Sequence, residues 1–141
     1  MLELLALGSV AWLLGREFMS GVSATASVTL DGLAPEGYTI VAAIDRAARL
    51  FNVDLVITSG VRAQDSDSMH SVGKAIDVRT ISLNSEQIIA LYWWFTVELG
   101  HAFIVLFESP TPSALPAELR AIAYYNPNAT AQHLHIGVRR T

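Results

Sequence analysis

Ser68-Met69-His70-Ser71-Val72-Gly73-Lys74-Ala75-Ile76-Asp77 is the stretch on which the reading of this chain turns. Ala63 to Met69 before it is polar and turn-like. Gly73 is expected where the backbone needs a conformation or a close approach that a side chain would block. Ala75-Ile76-Asp77-Val78 reads as a strand, whose period of two puts Ala75 and Asp77 on one face. His70 precedes the strand, and a loop can bring it over that face. Upstream, Val53 to Thr58 reads as a buried strand that delivers Ser59-Gly60-Val61-Arg62 to a loop edge. Downstream, Ala131 to Val138 reads as the last strand, with His133 and His135 aimed at one face. His and Asp are ligands that zinc accepts, and a catalytic zinc typically has three protein ligands and leaves a fourth position to water. The sequence offers His70, Asp77 and one of His133 or His135. An isolated histidine is more often a hydrogen-bonded core or surface residue than a ligand, and His101, just past a helix end, is read that way.

The spacing Ser68-x-His70-x-x-Gly73-x-Ala75-x-Asp77 resembles the S-x-H-x-x-G-x-A-x-D signature of zinc D,D-carboxypeptidases and related peptidoglycan peptidases, a group that also includes the zinc fold of the Hedgehog signalling domain. All five fixed positions match. His133-Leu134-His135 resembles the family's late H-x-H, and Ser59-Gly60-Val61-Arg62 resembles its S-G-Y-R element with Val61 in place of the aromatic residue. The likeness runs from about Leu30 to the C-terminus. It implies zinc held by His70, Asp77 and His135. It also implies Arg62 stabilising an oxyanion or holding a substrate carboxylate, with Ser68 a further substrate contact. For Arg62 the plainer alternative is a salt bridge to Asp65 or Asp67.

The chain departs from the family at the general base. Many relatives place a Glu three residues before the last zinc histidine, where this chain has Gln132; others place it six before, where it has Ala129. Gln cannot take a proton in that role. The penicillin-insensitive murein endopeptidases lack such a Glu and rely on the first His of H-x-H, which makes His133 the catalytic candidate and Glu108 the second choice. The resemblance therefore implies a zinc metallopeptidase cutting peptidoglycan stem peptides, as a D,D-carboxypeptidase or an endopeptidase. Its place of action would be the bacterial cell wall, whether periplasmic, extracellular or phage-associated. The alternative is a non-catalytic, zinc-stabilised binding or structural module of the same fold.

Elsewhere the periodicity predicts two helices. Ile40, Val41, Ile44, Ala47, Ala48 and Phe51 repeat at helical spacing with Thr39 as a candidate N-cap. Ser85 to Leu99 follows with Ser85 as the cap, and is apolar nearly all round, which predicts burial on more than one side. Ala102 to Phe107 is the clearest strand, ended by Glu108-Ser109-Pro110; Ala117 to Ala123 reads as one or two helical turns and Tyr124-Tyr125-Asn126-Pro127-Asn128 as a turn. Ser23 to Leu30 suggests a short edge strand. The expectation is a small α+β domain over residues 30–141. Its antiparallel sheet, with strands near Leu55, Ile76, Ile104 and Leu134, is backed by the two helices, and the zinc site lies on the open sheet face.

The remaining 1–29 form an N-terminal apolar segment read as a helix, a signal or an anchor. Its run Leu4 to Leu14 is shorter than the ~20 apolar residues that span a membrane. Ala24-Thr25-Ala26 resembles a cleavage site, but Glu3 replaces the positive start of a signal. Membrane or protein contact through residues 1–21 stays open. At 141 residues, 52% hydrophobic and 16% charged, the chain suits one domain with a well-buried core. A net charge of −4 provides no basic footprint for nucleic acid. With no cysteine, a domain this small must rest on its core or on a metal.

Overall fold

The computed structural model describes residues 21–62 and 68–140; the expectations for Met1–Ser20, Asp65 and Asp67 lie outside them. The chain runs β1 (Val22–Ala24), α1 (Pro35–Phe51), β2 (Leu55–Ser59), β3 (Ala75–Arg79), α2 (Ser85–Leu99), β4 (Phe103–Ser109), α3 (Ala117–Arg120), β5 (Ala123–Tyr125) and β6 (His133–Val138). Single 3₁₀ turns lie at Met69–Val72 and Pro112–Ala114. The expected small α+β domain is present, with six strands in the order β1-β2-β3-β6-β4-β5.

The sheet is mixed, which corrects the antiparallel expectation. Strands β2, β3, β6 and β4 pair antiparallel, but β1 runs parallel to β2 and β5 parallel to β4. Parallel neighbours need a crossover connection. Helix α1 carries the chain from β1 to β2, and the stretch containing α3 carries it from β4 to β5. Strand β5 takes Tyr124 and Tyr125 out of the turn expected of them, because its pairing depends on the edge of β4 rather than on local composition. Strand β1 stops at Ala24, short of Leu30, and Val22 is buried in the core.

Helix α1 starts five residues earlier than Ile40. Pro35 takes the first turn, where its missing N–H is no loss, and the N-cap Ala34 makes no side-chain bond. Thr39 is inside the helix, its hydroxyl donating to the Pro35 carbonyl. Asn52 closes the helix in the left-handed conformation. In α2 the cap is Asn84, not Ser85: Asn84 Oδ1 accepts from Gln87 N–H, and Gln87 Oε1 accepts from Asn84 N–H. Helix α2 buries Ile88, Leu91 and Phe95 against the sheet, and Ile89, Tyr92, Trp94 and Leu99 pack partly against the core beside them. Trp93 and Val97 stay exposed, so the burial is wider than one stripe but not all round.

One face of the sheet carries Leu55, Ile57, Ile76, Val78, Val105, Phe107, Leu134 and Ile136, all buried with Ile40, Ile44, Ile88, Leu91 and Phe95 of the helices. Each fully buried aliphatic or aromatic side chain contributes on the order of 1.5–3 kcal/mol. Alternation along the same strands leaves Asp77, His133, His135 and Glu108 on the other face, away from the helices.

Candidate metal centre

Strand register assembles the site. Asp77 on β3 is directly opposite His135 on β6, and His133 on β6 is directly opposite Glu108 on β4. Three adjacent strands thus contribute four ionisable groups to one patch. Strand β4 continues through Glu108 to Ser109, one turn of pleat further than expected, and this extension sets the carboxylate against His133.

His70 arrives from the 3₁₀ turn. Ser68 caps that turn, its Oγ accepting from His70 N–H, and Gly73 ends it at φ +71. A Cβ on Gly73 would come within 2.5 Å of the Gly32 carbonyl oxygen and 2.7 Å of Ala34 N, so the expected need for a side-chain-free residue is met twice over. Gly60 likewise has no room for a Cβ against the Thr29 carbonyl, and its own carbonyl faces His70 Nδ1 at 2.8 Å. A carbonyl only accepts, so Nδ1 carries a proton, which in the neutral ring leaves the lone pair on Nε2. That Nε2 is buried without a hydrogen-bond partner, 3.3 Å from Asp77 Oδ1.

His135 Nδ1 lies 2.9 Å from the same Asp77 oxygen, and the His70 and His135 rings meet edge to face with centroids 5.2 Å apart. Candidate ligand atoms of His70, Asp77 and His135 all lie within 4.8 Å of one another, so this buried group can hold a metal ion. The edge of a tetrahedron with 2.0 Å bonds is ~3.3 Å, close to the 3.3 Å and 2.9 Å spacings. A ligating histidine ordinarily donates its other ring N–H to a carbonyl or carboxylate, which is the arrangement of His70 on Gly60. A buried imidazole nitrogen with a lone pair and no donor is suited to a cation. The donor set fits a divalent metal.

Burial alone would push the Asp77 carboxyl up, but the His135 ring N–H on Oδ1 and the nearness of both histidine rings outweigh it and hold it far below the usual range. Glu108 is held low in the same way: burial opposes, and hydrogen bonds from His133 and Asn126 prevail. His133 goes the other way. Burial works against its charge, yet the hydrogen bond to Glu108 and the charge of Asp77 raise it. The geometry agrees, because every partner of the ring accepts: Nδ1 faces the Ala131 carbonyl at 3.0 Å, and Nε2 faces Glu108 Oε2 at 3.1 Å and Asp77 Oδ1 at 3.8 Å. As found, His133 is a donor at both nitrogens, paired with an anionic Glu108.

The cluster forms the floor of a groove of about 810 Å³, whose walls include Ser27, Thr29, Ser59, Arg62, Ser68, Asn128 and Thr130. All six sequence-predicted site residues line it: Arg62, Ser68, His70, Asp77, His133 and His135. Arg62 Nη1 approaches Asp77 Oδ2 at 3.9 Å. Ser68 spends its oxygen on the His70 backbone, so its first task is to position the ligand. Gln132 does not line the groove, whereas Ala129 does. Asn126, whose Nδ2 donates to Glu108 Oε2 at 2.7 Å, belongs by sequence only to a turn; no local signal ties it to Glu108, since β5 brings the two together. His101 lies exposed, off the groove. Compared with protein families, curated proteins and solved structures, the chain has no match.

Proposed function

We propose that this protein is a zinc-dependent peptidase that hydrolyses peptide bonds in bacterial peptidoglycan stem peptides, acting at the cell wall. The observation that carries the reading is the buried His70 Nε2, a lone pair without a donor, facing Asp77 and His135 at the floor of an open groove. Two histidines and one carboxylate from separate elements make the donor set of an open, hydrolytic zinc site rather than a closed structural one. The resemblance of Ser68 to Asp77 and of His133 to His135 to the peptidoglycan peptidases supplies the substrate class.

When bound, zinc would polarise the scissile carbonyl and make water acidic near neutral pH. The chain's own residues do the rest. His70, fixed by Gly60, and Asp77 with His135 hold the ion. The groove walls, rich in hydroxyls and amides, orient an extended peptide, and Arg62, beside Asp77, lies where it can meet a developing negative charge or a terminal carboxylate. Proton transfer belongs to the His133–Glu108 pair rather than to His133 alone. With both ring nitrogens on acceptors, His133 donates directly to a leaving amine, and it accepts only after passing the Nε2 proton to Glu108. Asn126 keeps Glu108 in place for that exchange.

A second reading, a zinc-stabilised module without activity, is favoured by Gln132 standing where many relatives have a carboxylate. One experiment separates the two. Purified protein, with its metal content measured, is incubated with whole peptidoglycan and with isolated stem peptides, and the products are identified by mass spectrometry. Release of peptides or D-alanine, lost in His70→Ala, is the expected result. Zinc-loaded protein that cuts neither substrate belongs to the binding module.

A further inference from the structure

The outer side of α2 carries large apolar side chains beyond Glu86, where a solvent-facing helix side is ordinarily charged. Ala90, Trp93 and Val97 recur at three- and four-residue spacing and share that side, with Trp93 53% and Val97 79% exposed. Helix α1 packs alongside α2. Arg46 pairs with Glu98, and Phe51 packs edge-on against Trp94, so the last turn of α1 lies beside the middle of α2. Leu50, 64% exposed, is in that turn. Large apolar side chains left exposed on two packed helices mark a candidate docking surface.

The chain itself carries the occupant. Between Glu3 and Arg16 the sequence has no charged residue, and Leu4 to Leu14 is built from Leu, Ala, Val and Trp with one Gly and one Ser. This segment joins the described fold at Gly21, whose carbonyl accepts from Leu55 N–H and which lies against Val53 and Asp54. Those residues follow the Leu50–Phe51 turn closely, so Gly21, the segment's point of attachment, is near the end of α1. Twenty extended residues reach roughly 66 Å, and a fifteen-residue helix is only about 22 Å long. Tethering also gives the segment an effective concentration of order millimolar, which no free partner matches. An anionic lipid surface would call for Lys or Arg around the apolar side, and α2 carries Glu86 and Glu98 with no Lys or Arg.

We propose that residues 4–14 pack in cis on the outer side of α2, against Leu50, Trp93 and Val97. The absence of cysteine from the chain makes a clean test. Val97→Cys is placed in the full chain, its intact N-terminus checked by mass, and its rate of reaction with a maleimide is measured. The comparison is the same chain carrying Leu5→Asp and Leu13→Asp. Thr111→Cys, on an exposed loop, is the control, and circular dichroism checks folding. The expected result is protection of Cys at 97 by roughly tenfold or more, independent of protein concentration, abolished by the two Asp substitutions and absent at 111. In a second measurement, Val97→Glu should speed tryptic cleavage after Arg16. Equal rates with and without the Asp substitutions overturn the proposal. Protection that grows with protein concentration overturns it in favour of a second copy, and protection that appears only with phosphatidylglycerol vesicles overturns it in favour of a membrane.

Discussion

At the scale of single residues, the proposed reaction assigns the two histidines of H-x-H different work although they share a face. His135→Ala and His70→Ala should each remove the metal, read by elemental analysis. His133→Ala should keep both metal and fold while lowering turnover about 10²–10⁴-fold. Because His133 acts with Glu108, Glu108→Gln should also reduce turnover, and the double substitution should cost little more than either alone; fully additive losses would mean the two act separately. The same pair shapes stability against pH in metal-free protein. His133 is raised above its ordinary 6.5, so its stabilisation is fully present below 6.5 and disappears as pH climbs through the raised folded value. Asp77 and Glu108 are lowered from 3.8 and 4.5, so theirs is present above those values and is lost on acidification through the lowered ones. Melting temperature followed across pH should show both limbs, with the alkaline one flattened in His133→Gln and the acid one in Asp77→Asn.

Among the elements, the turn from Ser68 to Gly73 holds the metal ligand on the shortest tether. Gly73→Ala forces a side chain into the left-handed region and against the Gly32 and Ala34 backbone. It should cost at least about 1 kcal/mol from the conformation alone, and zinc affinity should fall with stability because His70 is displaced with the turn. An unchanged zinc affinity would show that the turn is not what positions His70. Asn84→Ala, which removes a capping box far from the groove, serves as the contrast: about 1 kcal/mol of stability with metal affinity intact, both from denaturant titration.

For the whole molecule, a metal bound only by the folded state couples the site to every strand that feeds it. With free zinc at a thousand times its dissociation constant the gain is ~4 kcal/mol. For a domain of this size, chelation should therefore lower the melting temperature by roughly 10 °C or more. The sheet is the reason a local ligand set has a global effect: β3, β6 and β4 are adjacent inner strands, and their other face is the core. A melting curve indifferent to a chelator, in protein first shown to contain metal, would contradict this coupling.

Much of this arrangement was legible in local pattern. Period-two alternation in Ala75–Val78 and His133–Val138 is a property of extended backbone, so it predicted which residues share a face before any partner strand was known. Gly73 and the apolar stripe Ile40–Phe51 are local in the same sense. What local pattern does not carry is pairing. The parallel edges β1–β2 and β4–β5 depend on crossovers through α1 and the α3 stretch, and nothing in Tyr124-Tyr125 announces an edge to pair with. For the same reason the sequence favours His133 over Glu108 as a base and carries no signal for Asn126: their union with His133 comes from β4 lying between β6 and β5. The outer side of α2 is the last case, since an apolar helix predicts burial but only the packing decides which side is covered. Residue chemistry and strand period were written in the sequence by itself; register across strands, a long-range property, was decided by the tertiary structure alone.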